Sequence, residues 1–598
     1  MSAYMLQRGW LPGNPCVRHV PVNCTTNNKY KMYFNTQGKA SVTYDAIVIG
    51  SGISGGWAAK ELCEKGLKTL VLERGRMVRH GDYPTAMKEV WEFPNRDRLT
   101  AEELKDYEKQ NRTGYTMRPS TQHWWVKDTE HPYTEVKRFD WIRGYHVGGR
   151  SIMWGRHSYR LSDLDFEANA RDGHGVDWPI RYADLAPWYD YVEQFAGIQG
   201  QAEGLPHLPD GKFQPPIALN CVEQHARERI KKAFNRTLTI GRTANLTQGI
   251  HGRGACQYRN RCMRGCPYGA YFSSNAATLP AAEATGNMTI RPNSVVHSII
   301  YDADQKRATG VRVLDADTGE SLEFYARIIF SCASALGSTF ILMNSKSDAH
   351  PEGLGNSSGE LGHNLMDHHF RAGASGIHEG FADKYYSGRR PTGFYLARFR
   401  NLDKSEQRGY LRGFGYQGGA SRENWTRGIR ELDKGLGAEF KNELITPGPW
   451  QMGMTGFGEC LPYHENKVTL NEEVRDKHGL PTLTIDAEFK ENEMQMRKDM
   501  MADAAEMLEA AGFKDVKAYD AGSWPGLGIH EMGTARMGRD PKTSVLNKWN
   551  QVWDCPNVFV TDGASMTSAG CQNPSLTYMA LTARAADHAV KELKKMNL

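Results

Sequence analysis

Residues 44–56, YDAIVIGSGISGG, carry the strongest fold signal in the chain. An apolar run opens into the pattern G-x-G-x-x-G at Gly50, Gly52 and Gly55. A segment of helical character follows, and a second apolar run ends at Glu73. An isolated glycine pattern of this kind is also found in surface turns. The complete order of strand, glycine turn, helix, strand and acidic residue predicts a βαβ dinucleotide-binding unit.

Each residue of this pattern has a physical task. Gly50 permits the tight turn out of the strand, Gly52 lets the backbone approach a pyrophosphate at the helix N-terminus, and Gly55 lets helix and strand pack closely. Glu73 would accept a hydrogen bond from an adenosine ribose hydroxyl, and its charge disfavours a 2′-phosphate at that position. The pattern therefore favours an adenine dinucleotide without that phosphate.

Length and composition indicate a large globular enzyme. The 598 residues exceed one compact core, and about 150 residues per domain predicts two to four structural units. No apolar run approaches the roughly 20 residues that span a bilayer, so we expect a chain that is not itself transmembrane. The net charge of +5 is small and scattered, which argues against nucleic acid as a partner.

Three of the eleven cysteines lie close together in the sequence, at Cys256, Cys262 and Cys266. Three thiolates within eleven residues repel one another unless a metal or a cluster neutralises them, and three nearby arginines would help to hold that charge. The same spacing is compatible with a disulfide plus a free thiol, or with three reduced structural thiols. Zinc is less favoured because no nearby histidine or fourth cysteine completes a tetrahedral set.

A second glycine-rich turn spans residues 144–155, GYHVGGRSIMWG. Gly148, Gly149 and Ser151 offer backbone amides that a phosphate or the flank of a flat ring can approach. The turn is a second candidate binding element.

The C-terminal part supplies candidate catalytic residues. His530 lies in the stretch GIHEMGTARMG, and an apolar strand at 558–560 leads into Asp562 and Gly563. Residues from Leu576 onward then have helical spacing. Asn573 is the expected N-cap of this helix and Pro574 its first residue, and the buried N-terminus presents positive potential.

These motifs resemble, in order, those of the glucose–methanol–choline (GMC) flavoprotein oxidoreductases. The resemblance extends from residue 44 to about residue 595. It rests on the first glycine pattern, Gly148-Gly149-x-Ser151, the stretch LGHNLMDH at 361–368, His530-x-x-Gly533-Thr534, Asp562-Gly563 and Asn573-Pro574. Within the family the chain is similar to the branch of pyranose oxidases and bacterial sugar, gluconate and glucoside 3-dehydrogenases.

The resemblance implies a fold of the α/β class, which becomes α+β when the whole chain is considered. A Rossmann-like FAD-binding domain would be joined by a substrate-binding domain on a largely antiparallel sheet. The expected parts are an N-terminal extension (1–43), FAD-binding segments (44–160, 286–370 and 521–598), a linker with the cysteine loop and a substrate-domain segment (161–285), and the substrate-binding domain (371–520).

The resemblance also implies the cofactors. FAD would contact Gly50, Gly52, Gly55, Glu73, Gly148, Gly149, Ser151, Asp562, Gly563, Pro574 and Ser575. It would be non-covalent, because Met153 stands where pyranose oxidases place a flavin-linked histidine. Related dehydrogenases have a similarly spaced cysteine loop, which implies a 3Fe-4S cluster on Cys256, Cys262 and Cys266.

The implied reaction is oxidation of a secondary alcohol of a sugar or glycoside, with C3 of glucosides as one candidate position. Hydride would pass to flavin N5 while His530 takes the hydroxyl proton and Asn573 binds the alcohol oxygen. An Asn573 side chain that caps its helix cannot also bind substrate. Electrons would leave through the cluster to a cytochrome or another acceptor.

Two other functions stay open at this point. One is a pyranose-oxidase-like enzyme that passes electrons to O₂ and has structural cysteines, and the other is a non-redox flavoprotein lyase or scaffold subunit. The N-terminus shows no secretory signal pattern. A periplasmic location would therefore need an exported small partner subunit, and the alternative is the cytoplasm.

Overall fold

Strands and helices are both distributed along the chain. The computed structural model describes residues 35–39, 41–384, 391, 393–422 and 437–598. The strands of these residues are β1 (Thr43–Ile49), β2 (Thr69–Leu72), β3 (Thr134–Glu135), β4 (Leu238–Ile240), β5 (Met288–Arg291), β6 (Ser294–Asp302), β7 (Arg307–Asp315), β8 (Ser321–Ser331), β9 (His369–His378), β10 (Phe394–Leu396), β11 (Phe414–Arg422), β12 (Trp450–Gly458), β13 (Lys467–Arg475), β14 (Pro481–Asp486), β15 (Lys514–Asp520), β16 (Gln551–Val552) and β17 (Cys555–Val560). The helices are α1 (Ile53–Glu64), α2 (Ala101–Leu104), α3 (Glu108–Asn111), α4 (Asp163–Phe166), α5 (Ala168–Asp172), α6 (Tyr182–Ala196), α7 (Cys221–Phe234), α8 (Thr278–Ala284), α9 (Ala335–Met343), α10 (Ala438–Ile445), α11 (Glu491–Ala510) and α12 (Ser575–Lys594).

The first sheet contains the predicted βαβ unit. Strand β1 lies at its centre and pairs in parallel with β2 and β8, while β5 extends the β2 side and β17 the β8 side. Val48 is paired with Val71 on one side and with Phe330 on the other. All three are buried, as expected for a parallel strand covered on both faces.

The second sheet is antiparallel throughout and has the order β15-β9-β12-β11-β10-β4. Strand β12 alternates between buried and more exposed residues, the pattern of a sheet with one face in the core. That face packs Met452 and Met454 in one cluster with Met500 and Met507 of α11. A smaller sheet has the order β13-β14-β3.

The predicted fold class is confirmed: a Rossmann-like sheet, parallel from β17 through β8, β1 and β2 to β5 and extended by the antiparallel strands β6, β7 and β16, is combined with an antiparallel sheet. After β2 the chain returns to the parallel part of this sheet at β5, β8 and β17. The domain limits stay predictions, and most of the expected N-terminal extension (1–43) lies outside the described residues. Within the described part of the chain, no helix is long and apolar enough to cross a membrane.

The predicted cap of the last helix was wrong by one residue. Helix α12 begins at Ser575, its N-cap is Pro574, and no side chain caps it. Asn573 lies before the cap, and its side-chain oxygen accepts a hydrogen bond from Gln417 instead. The contact with β11 outweighs the local capping preference and leaves the Asn573 side chain outside the helix.

Candidate active site

A cavity of about 670 Å³ lies at the carboxyl end of β1 and is lined by residues from both large sheets. Ile49, Gly50 and Gly52 line it from the parallel sheet and its first turn, whereas Gln417 and Phe457 line it from the antiparallel sheet. Ligand pockets commonly have about 300–1,000 Å³, and in open α/β sheets ligands bind beyond the carboxyl ends of the strands.

The first glycine turn has the geometry that a close approach to a phosphate needs. Gly50 has φ +90°, and a Cβ on Gly55 would lie 1.9 Å from the Gly50 carbonyl oxygen, so α1 touches the turn there. A Cβ on Gly52, in contrast, would meet no protein atom within 4 Å. Gly52 is the N-cap of α1 and lines the cavity, so the open space lies where a helix N-terminus attracts an anion. The site therefore fits the pyrophosphate of a dinucleotide.

Ser51 joins the two glycine-rich turns. Its hydroxyl accepts a hydrogen bond from the Gly148 N–H (2.9 Å) and donates one to the Glu73 carboxylate (2.5 Å). Glu73 also accepts hydrogen bonds from the backbone N–H groups of Ser51 and Gly75. Burial raises the pKa of Glu73 while these hydrogen bonds lower it. The acidic residue predicted to bind a ribose is thus held rigidly at the cavity wall.

Asp562 and Gly563 lie on the same wall, after β17. The Asp562 carboxylate accepts hydrogen bonds from the Ala564 N–H (3.0 Å) and from the Ser338 hydroxyl (2.5 Å). Burial raises the pKa of Asp562 to about 6. Asp562 therefore fixes the short turn that places Gly563 at the cavity.

His530 makes a hydrogen bond with a second histidine. Its Nδ1 lies 2.7 Å from Nδ1 of His368, whose Nε2 lies 2.7 Å from the carbonyl oxygen of Gly570. Burial, followed by the charges of His368, Arg150 and His157, lowers the pKa of His530 well below its ordinary value. His530 is therefore a neutral imidazole at neutral pH, the form that accepts a proton.

Buried carboxylates hold the segment that carries His530. Asp367 accepts hydrogen bonds from the backbone N–H groups of His368, Gly528 and His530. Burial and the charge of Glu531 raise the pKa of Asp367 to about 7. Glu531 itself forms a two-bonded ion pair with Arg150 at 3.0 and 2.9 Å, a geometry that orients both groups.

Asn573 and His530 both line the cavity. The Nε2–H of Gln417 donates to the Asn573 side-chain oxygen at 2.6 Å. In the described part of the chain the Asn573 amide N–H groups have no hydrogen-bond acceptor, so they can donate to a ligand. An imidazole acceptor and an amide donor thus face one space.

The three cysteines of the loop lie behind this wall. None of them lines the cavity, although Met263 from the same loop does. Burial and the charge of Cys262 raise the pKa of Cys256 and of Cys266, so the thiols are near enough to interact. Among the residues that the structure describes, however, no three His, Cys, Asp or Glu side chains are arranged as metal ligands. The arrangement does not support the predicted cluster.

The arginines of the cysteine loop also make structural contacts. Arg259, Arg261 and Arg264 donate hydrogen bonds to the backbone carbonyls of residues 86–88. They hold the loop against that segment, because unpaired carbonyls attract guanidinium donors whether or not thiolates are near.

The cavity contains most, but not all, of the predicted residues. Those that line it are His530, Asn573, Gly50, Gly52, Glu73, Gly149, Ser151, Asp562, Gly563 and Ser575. Gly55, Gly148 and Pro574 lie behind the lining. Five further residues at this site have no role predicted from the sequence: His368, Asp367, Gln417, Arg150 and Glu531. His368 and Asp367 close the stretch LGHNLMDH, whereas Gln417 stands inside an ordinary strand.

Two family models, both described as GMC oxidoreductase, match residues 44–370 and 462–582. The chain belongs to the GMC oxidoreductase family. A relative of this GMC oxidoreductase, the 2-methyl-1,2-propanediol dehydrogenase of Mycolicibacterium austroafricanum, is 30% identical over 568 residues, which cover 91% of this chain and 94% of the relative. The fructose dehydrogenase large subunit of Gluconobacter japonicus is 27% identical and covers 93% and 99% of the two chains.

A solved structure agrees with this assignment at the level of the fold. A formate oxidase from Aspergillus oryzae RIB40 superposes with a TM-score of 0.59 at 16% identity, over 94% of this chain and all of the other. Membership in the family makes this GMC oxidoreductase an FAD enzyme that acts on CH–OH groups of alcohols or sugars. The open space at Gly52 fits that cofactor.

Proposed function

We propose that the protein oxidises a secondary alcohol of a sugar or glycoside, with C3 of glucosides as one candidate position. The observation that carries the proposal is the pair His530 and Asn573, which presents a proton acceptor and an amide donor to the cavity that also contains the nucleotide-binding turn. A hydroxyl group is both donor and acceptor, so it can satisfy both side chains at once.

The protein side chains divide the work. Asn573 donates a hydrogen bond to the alcohol oxygen and orients it, and His530 takes the hydroxyl proton as the C–H bond breaks. The low pKa of His530 keeps it neutral and ready to accept. FAD, when bound, supplies the acceptor for hydride at flavin N5. The antiparallel sheet contributes Gln417 and Phe457 to the cavity wall.

The predicted FAD residues lie around the cavity in an order that suits the cofactor. The turn from Gly50 to Gly52 would hold the pyrophosphate, and Glu73 the adenosine ribose. The N-terminus of α12 at Ser575 would face the ring, where positive potential stabilises negative charge. Met153 also lines the cavity, and its thioether offers no histidine nitrogen for a covalent link, which supports non-covalent binding.

The substrate end of the cavity has an aromatic wall. Phe370 and Phe457 from neighbouring strands stack with ring centroids 5.1 Å apart and line the cavity. Aromatic faces suit the apolar face of a sugar ring. Two relatives are named for a diol and for fructose, and both compounds carry neighbouring hydroxyl groups. These facts support a polyol or sugar over a simple alcohol.

The route of the electrons is the second part of the proposal. The cysteine loop reaches from the cavity wall at Met263 to the surface, where Tyr258 and Tyr268 are exposed. A loop in that position suits the transfer of electrons to a protein acceptor such as a cytochrome. A small partner subunit would belong to the same assembly, and one relative is named as a large subunit. Because the described thiols are not arranged as metal ligands, no step of the mechanism passes through a 3Fe-4S cluster. Iron analysis of the purified protein tests whether such a cluster is present.

Anaerobic spectroscopy of the purified holoenzyme tests both parts. We expect glucosides or fructose to bleach the flavin absorbance and glycerol to do so more slowly. Iron and sulfide in a cluster's ratio, with an EPR signal that changes on reduction, would support the relay. Bleaching without iron, followed by peroxide in air, would support the oxidase alternative, and a flavin that no polyol reduces would overturn the oxidoreductase proposal in favour of a lyase or scaffold.

A further inference from the structure

Each of the two catalytic side chains is held by a hydrogen-bonding partner. His368 lies against His530 and is fully buried, and Gln417 lies against Asn573 and is 8% exposed. Each partner is fixed by its own element: His368 immediately precedes β9, and Gln417 is inside β11. The two contacts determine which atoms of the catalytic pair are donors and which are acceptors.

The histidine contact allows one arrangement of protons. The Gly570 carbonyl oxygen can only accept, so Nε2 of His368 must carry a proton and donate it. A neutral His368 then has an unprotonated Nδ1, and burial lowers the pKa of His368 to about 4, which keeps it neutral. Since this Nδ1 can only accept, the proton of the 2.7 Å contact belongs to Nδ1 of His530. Neutral His530 therefore has an unprotonated Nε2.

The free Nε2 is the atom that a substrate hydroxyl can use. In the described part of the chain, Nε2 of His530 has no hydrogen-bond partner, and the residue lines the cavity. The groups around the imidazole are Arg150 with its ion-pair partner Glu531, His157, His368 and, on the backbone side, Asp367.

We propose that His368 and Gln417 are positioning residues that set the hydrogen-bond polarity of the catalytic pair, so that His530 offers an acceptor and Asn573 a donor to one hydroxyl group. This inference rests on the proposed alcohol oxidation and explains how the pair recognises an alcohol before reaction. The hydroxyl proton passes to Nε2 of His530 as hydride leaves the carbon, so the resulting imidazolium can donate to the product carbonyl.

The same contact also determines where the proton goes afterwards. The Gly570 carbonyl cannot take up a proton, so the chain His530–His368–Gly570 ends there. The proton on Nε2 therefore returns to solvent through the cavity once the product has left. A substitution of His368 should change this proton chemistry and not the binding of FAD.

The test compares two substitutions at one position. His368→Leu removes both the acceptor and the donor, whereas His368→Gln keeps one of each at similar spacing. We expect the Leu variant to lose about 10- to 100-fold in the rate of flavin reduction at saturating sugar, with a larger solvent isotope effect and normal FAD content. The Gln variant should recover much of that rate. Gln417→Leu should mainly raise KM, because Asn573 can then turn its amide.

A matched control lies in the same segment. The ring of His363 stacks on His464, and its Nδ1 contacts the His464 carbonyl oxygen. His363 does not line the cavity, so His363→Leu should leave the rate of flavin reduction and its solvent isotope effect unchanged. If His368→Leu reduces flavin as fast as the wild type, the inference is overturned. Equal losses in His368→Leu and His368→Gln would mean that His368 has only a packing role.

A second measurement does not depend on activity. In holoenzyme with ¹⁵N-labelled histidine, the His530 signal, identified by its loss in His530→Asn, should show an unprotonated Nε2 in the wild type and a change in His368→Leu. An unprotonated Nδ1 in the wild type would overturn the inference. If the tautomer is as expected but no alcohol reduces the flavin, the proposed function fails while the positioning by His368 stands.

Discussion

The N-terminus of α1 gives the most direct test of where the cofactor lies. A methyl group on Gly52 would meet no protein atom within 4 Å, whereas one on Gly55, three residues later, would lie 1.9 Å from the Gly50 carbonyl oxygen. Gly52→Ala should therefore leave the protein folded and place the methyl group in the space assigned to the pyrophosphate. Gly55→Ala should disrupt the fold itself.

The expected magnitudes follow from these distances. Overpacking by one methyl group costs about 1–3 kcal/mol, so Gly52→Ala should weaken FAD binding about 5- to 150-fold. Replacing an N-cap glycine by alanine changes the stability of the apoprotein by less than about 1 kcal/mol. In Gly55→Ala the gain in helix propensity is about 1 kcal/mol, which is too small to offset a backbone contact far inside van der Waals distance. We expect a loss of about 3 kcal/mol or more.

Two measurements on the same samples separate these effects. FAD titration of the apoprotein, followed by quenching of flavin fluorescence, gives the affinity, and thermal unfolding of the apoprotein gives the stability. Wild-type FAD affinity in Gly52→Ala would refute the position of the pyrophosphate at α1. Wild-type stability in Gly55→Ala would refute the close contact of α1 with the turn after β1.

Three further predictions concern the catalytic wall and the cysteine loop. His530→Ala should slow flavin reduction by sugar about 10²- to 10⁴-fold in anaerobic stopped-flow experiments, and a loss below about 10-fold would contradict its role as base. Burial raises the pKa of Asp367 to about 7, above about 3.9 in an unfolded chain, so its contribution to stability is present below about pH 4 and is lost as the pH rises through 7. Across the span from pH 4 to pH 7 that fall amounts to up to about 4 kcal/mol, of which about 2.5 kcal/mol lies between pH 5 and pH 7.5. Asp367→Asn should remove it, seen as a smaller difference in Tm between pH 5 and pH 7.5; an unchanged difference would show that the carboxyl ionises normally. Cys262→Ser should leave flavin reduction by sugar intact while turnover with a cytochrome acceptor collapses, because the cysteine loop leads from the cavity wall to the surface, and unchanged turnover would favour structural thiols.

Local sequence was sufficient for the first βαβ unit. Gly50, Gly52, Gly55 and Glu73 lie within 24 residues, and each acts on its immediate neighbours, so spacing alone predicts the turn and the packing. The position of His530 and Asn573 on one wall needed the family resemblance, because the two residues come from separate loops.

Tertiary partners could not be read from the same signals. The capping rule assigned the Asn573 side chain to its own helix, but Gln417, distant in sequence, binds that side chain in the structure. Gln417 stands in the strand FGYQGGASR, where an inward-facing polar residue has no pattern of its own. The spacing of the three cysteines predicted that the thiols lie near one another and could not predict the angles that a metal requires.

The parallel sheet has a consequence for the synthesis of the protein. Strand β17 pairs with β8, and β8 pairs with β1, so the floor of the cofactor cavity is assembled from distant parts of the chain. The ribosome reaches Asn573 roughly 520 residues after Gly52, which takes about 25 to 100 seconds at common rates of translation. During that time the glycine turn exists without the wall that closes over it. A nascent chain therefore cannot enclose FAD until late in translation, when α12 packs against α1 and α6.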